Sequence, residues 1–103
     1  MPLPIRYDWD PAKRTQNLAK HGLDFEDAWR VYEHPARFDA ESERAGTEYR
    51  RKAMALSTAT DAVCVLVYVV RGDSVRCISL RRASRREREE YRGHLEEGRE
   101  LHE

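Results

Sequence analysis

The sequence predicts an α+β domain in which two N-terminal helices and a C-terminal helix pack on an antiparallel sheet, and three stretches carry that prediction. Residues 62–70 form a continuous, largely β-branched apolar run, and Arg71-Gly-Asp-Ser74 supplies a turn before the second apolar stretch at residues 75–80, the pattern of a β-hairpin. Asp10-Pro11 and Asp24 open two short helical patterns ahead of the strands. Ser84-Arg-Arg-Glu87 is a Ser-x-x-Glu capping box that starts a last helix. Strands that follow helices in a block, instead of alternating with them, favour an antiparallel sheet over a parallel one.

Residues 5–9 alternate apolar and polar side chains, which suits a short first strand. Asp10 as N-cap and Pro11 at the first helical position then begin a helix that runs to Lys20-His21, with Gly22 just past its end. Asp24 caps a second helix whose Phe25, Ala28, Trp29 and Tyr32 fall at i, i+3, i+4 and i+7, an aromatic stripe for the sheet, and His34-Pro35 stops it. Residues 36–48 read as an acidic loop with Gly46 as its turn residue and a short strand at 36–39. Residues 49–57 read as an edge strand, because they precede the hairpin and carry three basic residues among apolar ones. The last helix has only Tyr91, Leu95 and Leu101 as large apolar residues, and Gly93 and Gly98 weaken it. It is expected to be partly detached, fraying toward the C-terminus.

A two-residue Gly72-Asp73 turn pairs Arg71 with Ser74 and sets the hairpin register. Val63, Val65, Val67, Val69, Ile78 and Leu80 then share the expected main core face, with Arg71, Ser74 and Arg76 near the turn. Cys64, Leu66, Tyr68, Val70, Val75, Cys77, Ser79 and Arg81 share the other, a mixture that suits a polar site laid on a sheet. In that register the two cysteines lie about 13 Å apart and remain free thiols.

The 103 residues suffice for one domain, 1–103, with one core. A 37% charged and 40% apolar composition is that of a soluble globular protein. Formal net charge is zero, yet residues 71–88 hold seven arginines against only Asp73 and Glu87, a local basic patch. Arginine forks suit phosphate and carboxylate partners. No signal peptide, long apolar segment or zinc-ligand spacing is present, which points to a cytoplasmic protein without a structural metal or other cofactor. A Gly-rich phosphate loop, a Ser-His-Asp order and a clustered acidic metal site are all missing.

Lys20 and His21 stand at a helix C-terminus, where their ordinary role is to complement the macrodipole. The arginines at 76, 81, 82, 85, 86 and 88 are a solvated charge run or an anion surface, with Glu87, Glu89 and Glu90 as internal partners. Arg81 is distinguished by its place at a strand end beside a capped helix N-terminus, where a guanidinium and backbone N–H groups can share one phosphate. Tyr68 and Tyr91 ordinarily pack half-buried with a wet hydroxyl. His34, His94 and His102 form no pattern.

Four ordered pieces, Tyr7-Asp-Trp-Asp-Pro-Ala-Lys13, Asn17-Leu-Ala-Lys-His-Gly-Leu23, Phe25-Glu-Asp-Ala28 and Arg76-Cys-Ile-Ser-Leu-Arg-Arg-Ala-Ser84 with Glu87-Arg88 and Tyr91, closely resemble the BrnT family of bacterial type II toxins. The resemblance implies a RelE-like fold and a metal-free RNA endoribonuclease that inhibits translation and arrests growth. It also implies neutralisation by a BrnA-type antitoxin carrying a ribbon-helix-helix DNA-binding domain. The pair would repress its own operon, touching operator DNA only through the antitoxin, and no membrane is involved. Carried over by position, the family's catalytic residues fall on Lys20, His21, Arg76 and Arg81. The family usually has Glu-Arg a few residues before a strand-ending glycine; here the chain reads Glu48-Tyr-Arg-Arg-Lys52 and Ser57 replaces the glycine, so either Arg51 or Lys52 takes the arginine's role. Metal-free cleavage needs a base for the ribose 2′-OH, cations for the phosphorane charge and an acid for the leaving oxygen. Arg81 with Arg51 or Lys52 would stabilise charge, and His21 or Lys20 would move the proton. Arg82, Arg85, Arg86, Arg88, Tyr68 and Tyr91 are the expected RNA contacts. The rival class is a non-enzymatic RNA-binding or protein-interaction module using the same patch.

Overall fold

The protein is described by a computed structural model over residues 4–41 and 48–100. In chain order the elements are β1 (Arg6–Asp8), α1 (Pro11–His21), a 3-10 turn (Phe25–Asp27), α2 (Trp29–Tyr32), β2 (Phe38–Glu41), β3 (Arg51–Ser57), β4 (Ala62–Arg71), β5 (Ser74–Arg82) and α3 (Arg85–Glu100). The strands form one sheet in the order β1-β5-β4-β3-β2. From β2 to β5 every neighbouring pair is antiparallel, but β1 joins β5 in parallel. The parallel edge follows from the chain path, since β1 feeds α1, and α1 lies further along β5 in the same direction. The loop expected around Gly46 lies outside the described residues. The strand expected at 36–39 is β2, two residues further on, and it covers β3 from Phe38↔Met54 to Glu41↔Arg51. β3 is therefore an interior strand, not the expected edge.

α1 forms as its caps dictate. The Asp10 carboxylate accepts from the Ala12 N–H at 2.9 Å, and Gly22, at φ +70°, takes the left-handed conformation that lets its N–H reach the Leu18 carbonyl. The second helical segment differs from expectation because it opens with a 3-10 turn. Three residues per turn place Phe25, Ala28 and Val31 toward the sheet, all essentially fully buried. Trp29 is rotated out of the stripe, 47% exposed, with the Arg30 guanidinium 4.7 Å from its ring centre.

The hairpin pairs Arg71 with Ser74 as the turn requires, and Gly72 sits at φ +60°. Beyond the turn a β-bulge changes the faces. Tyr68 pairs with Cys77 and Val67 with Ser79, leaving Ile78 as the extra residue. Leu80 consequently joins Cys64, Leu66, Tyr68, Val75 and Cys77 in the larger core beneath Phe25, Ala28 and Val31. This is the reverse of the expected main face. Val65 belongs instead to a smaller second core with Met54, Ala83 and Tyr91, bordered by Phe38, Val63, Val67 and Leu95. α3 covers that second face, anchored by Tyr91 and Leu95 and by a 4.9 Å ring contact between His94 and Phe38. It is helical to Glu100; Leu101 lies outside the described residues. Cys64 and Cys77 are buried free thiols, and burial pushes Cys77 up to about 12.

Candidate active site

The bulge moves Arg81 to the α3 face, opposite Tyr68, and this placement decides what Arg81 meets. Glu87, the fourth residue of the capping box, accepts a hydrogen bond from the Ser84 N–H at 2.9 Å while its own N–H donates to Ser84 Oγ at 3.2 Å. The same carboxylate receives Arg81 end-on, Nη1 to Oε1 at 2.7 Å and Nη2 to Oε2 at 3.0 Å. Lys52 Nζ reaches Oε2 from β3 at 3.2 Å. Glu87 is only 7% exposed, and the Arg81 guanidinium, with the Ser84 amide and Lys52, holds its carboxyl well below the usual carboxylate range. One acid thus fastens the end of β5, the middle of the sheet and the first turn of α3 together.

Glu87 orients its cations without exhausting them. Arg81 Nη1 also donates to the Arg82 carbonyl at 3.4 Å, which leaves the side fork, Nε with the outer Nη2 hydrogen, for another partner. Lys52 keeps two ammonium donors. Both cations line a cleft of about 470 Å³ together with Ser84, Arg86, Glu87 and Glu90. Arg85 and Arg86 occupy the first turn of α3, where cations oppose the helix dipole. They pair with Glu89 and Glu90 one turn on, at 3.7 and 3.5 Å. Two arginines at the positive end of a helix weaken it slightly and strengthen its pull on an anion.

α1 brings its last turn to the same corner. Asn17, 6% exposed, holds it there. Its Nδ2 donates to the carbonyls of Leu80 at 2.8 Å and Leu23 at 2.9 Å, and its Oδ1 accepts the Leu80 N–H at 3.1 Å. A side-chain amide thus pairs with the edge of β5 where β1 has ended. Arg82 Nη1 adds a bond to the His21 carbonyl at 3.4 Å. The His21 imidazole lies within electrostatic reach of Arg81, and partial burial, with Lys20 and then Arg81 as like charges, lowers its pKa below the ordinary histidine value. That shift favours the neutral ring, which has a nitrogen able to accept a proton.

Of the residues singled out from sequence, Lys52 and Arg81 meet on Glu87, while His21, within electrostatic reach of Arg81, lines a neighbouring cleft with Lys20. Arg51 joins neither group. It points to the opposite face of β3, exposed, with its guanidinium 5.6 Å from the Tyr49 ring. Alternation along the strand separates neighbours that the sequence left equivalent. Arg76 is on β5 but roughly 15 Å nearer the turn, paired with Asp8 at 3.4 Å. Tyr68 and Tyr91 are 2% and 5% exposed. Tyr68 packs edge-on against Tyr32, and Tyr91 lies beneath α3. Neither has a ring face to offer a base, so both leave the RNA-contacting set. Arg82, Arg85, Arg86 and Arg88 are exposed, with Arg88 Nη1 donating to the Ala83 carbonyl at 3.1 Å. Sequence reasoning recognised Glu87 as a cap and an ion-pair partner of the arginines, and gave Asn17 no role of its own. The capping box was a usable signal for Glu87, but its two cations become visible only once β3 and β5 are neighbours.

Ser57 replaces the strand-ending glycine without strain. The left-handed residue of the β3–β4 turn is Asp61, at φ +53°, while buried Ser57 accepts the Ala59 N–H on its hydroxyl and the Asp61 N–H on its carbonyl. Among the described residues no three of His, Cys, Asp and Glu converge as a ligand set, and no helix is long and apolar enough to cross a membrane.

Residues 9–87 match the family described as ribonuclease toxin, BrnT, of type II toxin-antitoxin system. The chain belongs to the BrnT family. A comparison with curated proteins returned no match. Membership gives the basic corner its context, because a BrnT toxin is a ribonuclease that acts on RNA and is held in check by an antitoxin. The matched span runs from Trp9 to Glu87, so it ends on the residue that gathers Arg81 and Lys52.

Proposed function

We propose that this BrnT toxin, acting as a single domain over residues 1–103, is a metal-independent endoribonuclease that cuts RNA by attack of the ribose 2′-oxygen. The observation that carries the reading is the convergence of Arg81 and Lys52 on Glu87, with His21 within electrostatic reach of Arg81. In the reaction the 2′-oxygen forms a bond to phosphorus while the bond from phosphorus to the 5′-oxygen breaks. His21 takes the 2′-OH proton, and the 5′-oxygen leaves with a proton from solvent water. The products are a 2′,3′-cyclic phosphate and a 5′-hydroxyl. Negative charge gathers on the phosphorane oxygens, where the free Arg81 fork and the Lys52 ammonium, both held by Glu87, would meet it with little reorganisation in the transition state.

A BrnA-type antitoxin with a ribbon-helix-helix domain is the partner this reading entails. It would cover the surface of residues 76–88 and so mask the cleft, and operator DNA would be reached through the antitoxin alone. The deciding experiment incubates purified toxin with RNA in excess EDTA. Cyclic-phosphate ends in the wild type, lost by about a hundredfold or more in Arg81→Ala with a cooperative melting transition retained, are the expected result. RNA that is bound but left intact, or an Arg81→Ala protein that still arrests growth at the wild-type dose, refutes the assignment.

A further inference from the structure

A second cleft lies on the other side of His21. Lys13, Gln16, Lys20 and His21 from α1 face Ile78 and Ser79 of β5 across a space of about 190 Å³, with Asn17 at its base. That is below the range of roughly 300–1,000 Å³ usual for pockets that enclose a whole small molecule, so it can seat one part of an extended ligand, such as a single base of a strand. Lys13, Gln16 and Lys20 fall at i, i+3 and i+7, one face of the helix, with the two lysines about 10 Å apart along its axis. Neither lysine forms an ion pair among the described residues, whereas Arg76, Arg81, Arg85 and Arg86 each hold a carboxylate. The wall opposite is made by the bulge. β1 covers β5 only from Ser74 to Arg76, and the extra residue Ile78 turns an apolar side chain to the open edge with the Ser79 hydroxyl beside it.

We propose that this α1–β5 cleft binds the RNA nucleotide next to the scissile phosphate, with Lys13 and Lys20 on its flanking phosphates and Gln16, Ile78 and Ser79 against its base. The inference rests on Arg81 and Lys52 holding the scissile phosphate, and it extends that site around the edge of the sheet. His21 lines this cleft and also feels the charge of Arg81, so a strand leaving the α3 cleft passes the proton acceptor before it reaches Lys13. Apart from His21, which the proposed reaction uses for proton transfer, the cleft offers an amide, a hydroxyl and an aliphatic side chain, which favours recognition of a base edge over stacking.

Kinetics on a short single-stranded RNA at several salt concentrations, with Lys13→Ala, Lys13→Arg and Gln16→Ala, test this. Both positions are exposed helix sites where alanine preserves the helix. Lys13→Ala and Gln16→Ala are expected to raise KM by about tenfold, a typical worth of one lost contact, with kcat within about twofold. Lys13→Ala should also lower the log–log salt slope of binding by about 0.7, one phosphate fewer on a single strand; Lys13→Arg should keep wild-type KM and slope. Unchanged KM and slope in Lys13→Ala, while the wild type cuts, overturn the subsite and leave the ribonuclease reading standing. Weakened antitoxin binding with unchanged RNA kinetics assigns the cleft to the protein partner and also overturns it. A wild type that cuts no RNA overturns both.

Discussion

Glu87 and His21 are the two residues whose chemistry is set most by their neighbours, and each makes a measurable claim. Glu87 is held ionised chiefly by Arg81, so its carboxyl titrates below its unfolded value near about 4.3. A carboxyl depressed in the folded state contributes stability that is complete above the unfolded pKa and is lost as pH falls through the folded one. Glu87→Gln should therefore melt below the wild type at pH 7, by about 1–3 kcal/mol since Arg81 and Lys52 are left facing each other. The gap should close progressively below about pH 4, which a pair of denaturation series across pH would reveal. His21 is shifted the opposite way for its type, being lowered by burial and by Lys20 and Arg81. If it accepts the 2′-OH proton, His21→Gln loses about a hundredfold or more in kcat at a stability cost of about 1 kcal/mol or less, and the acid limb of the wild-type profile, with its pKa below 6.5, disappears. Unchanged cleavage in His21→Gln, with loss in Lys20→Met, would transfer the proton role to the lysine and leave His21 as a helix-end residue.

At the scale of elements, β3 offers the cleanest separation of the two cations that sequence alone could not rank. Lys52 reaches Glu87, whereas Arg51 stands over Tyr49 on the other face. Lys52→Met should cost about a hundredfold in cleavage and Arg51→Met should cut RNA at close to the wild-type rate; the reverse ordering would move the site across the sheet. The elements legible in advance were those with local chemical signatures: the Asp10-Pro11 start and Gly22 end of α1, the Gly72-Asp73 turn with its Arg71↔Ser74 register, and the Ser84-Glu87 cap of α3. What was not legible depends on single-residue insertions in regular structure. The Ile78 bulge has no compositional mark, yet it reversed the faces of Leu80 and Arg81 and so moved the site from the Tyr68 face to the α3 face. The 3-10 start of the second helical segment likewise sent Trp29 outward and Val31 inward. The family's motifs pointed to candidate residues, but their grouping in space was not readable. Arg81 and Lys52 are 29 positions apart in sequence and meet only because β3, β4 and β5 are consecutive in the sheet.

Over the whole molecule a net charge of zero conceals a basic corner built from the ends of α1 and β5 and the first turn of α3, and long-range attraction follows the corner and not the sum. An antitoxin that masks the cleft must approach this surface, where Arg85 and Arg86 have side chains 88% and 91% exposed. Groups so exposed contribute more to the encounter than to the bound state, because solvent screens them at contact while their field still guides diffusion. The double charge reversal Arg85→Glu and Arg86→Glu leaves the helix near its original stability. Repulsion from Glu89 and Glu90 costs about 0.3–0.5 kcal/mol per pair, and acids in the first turn regain a similar amount from the dipole. With folding thus held nearly constant, association with the cognate antitoxin in low salt should slow by about tenfold or more while dissociation changes little. The difference should shrink at high salt, as the screening length falls to about 3 Å near 1 M. Stopped-flow association and competition-chase dissociation, run at low and high salt, separate the two rates. A reversal that leaves association intact and accelerates dissociation would instead bury these arginines in the interface core, and an association rate indifferent to both charge and salt would place the antitoxin on another face.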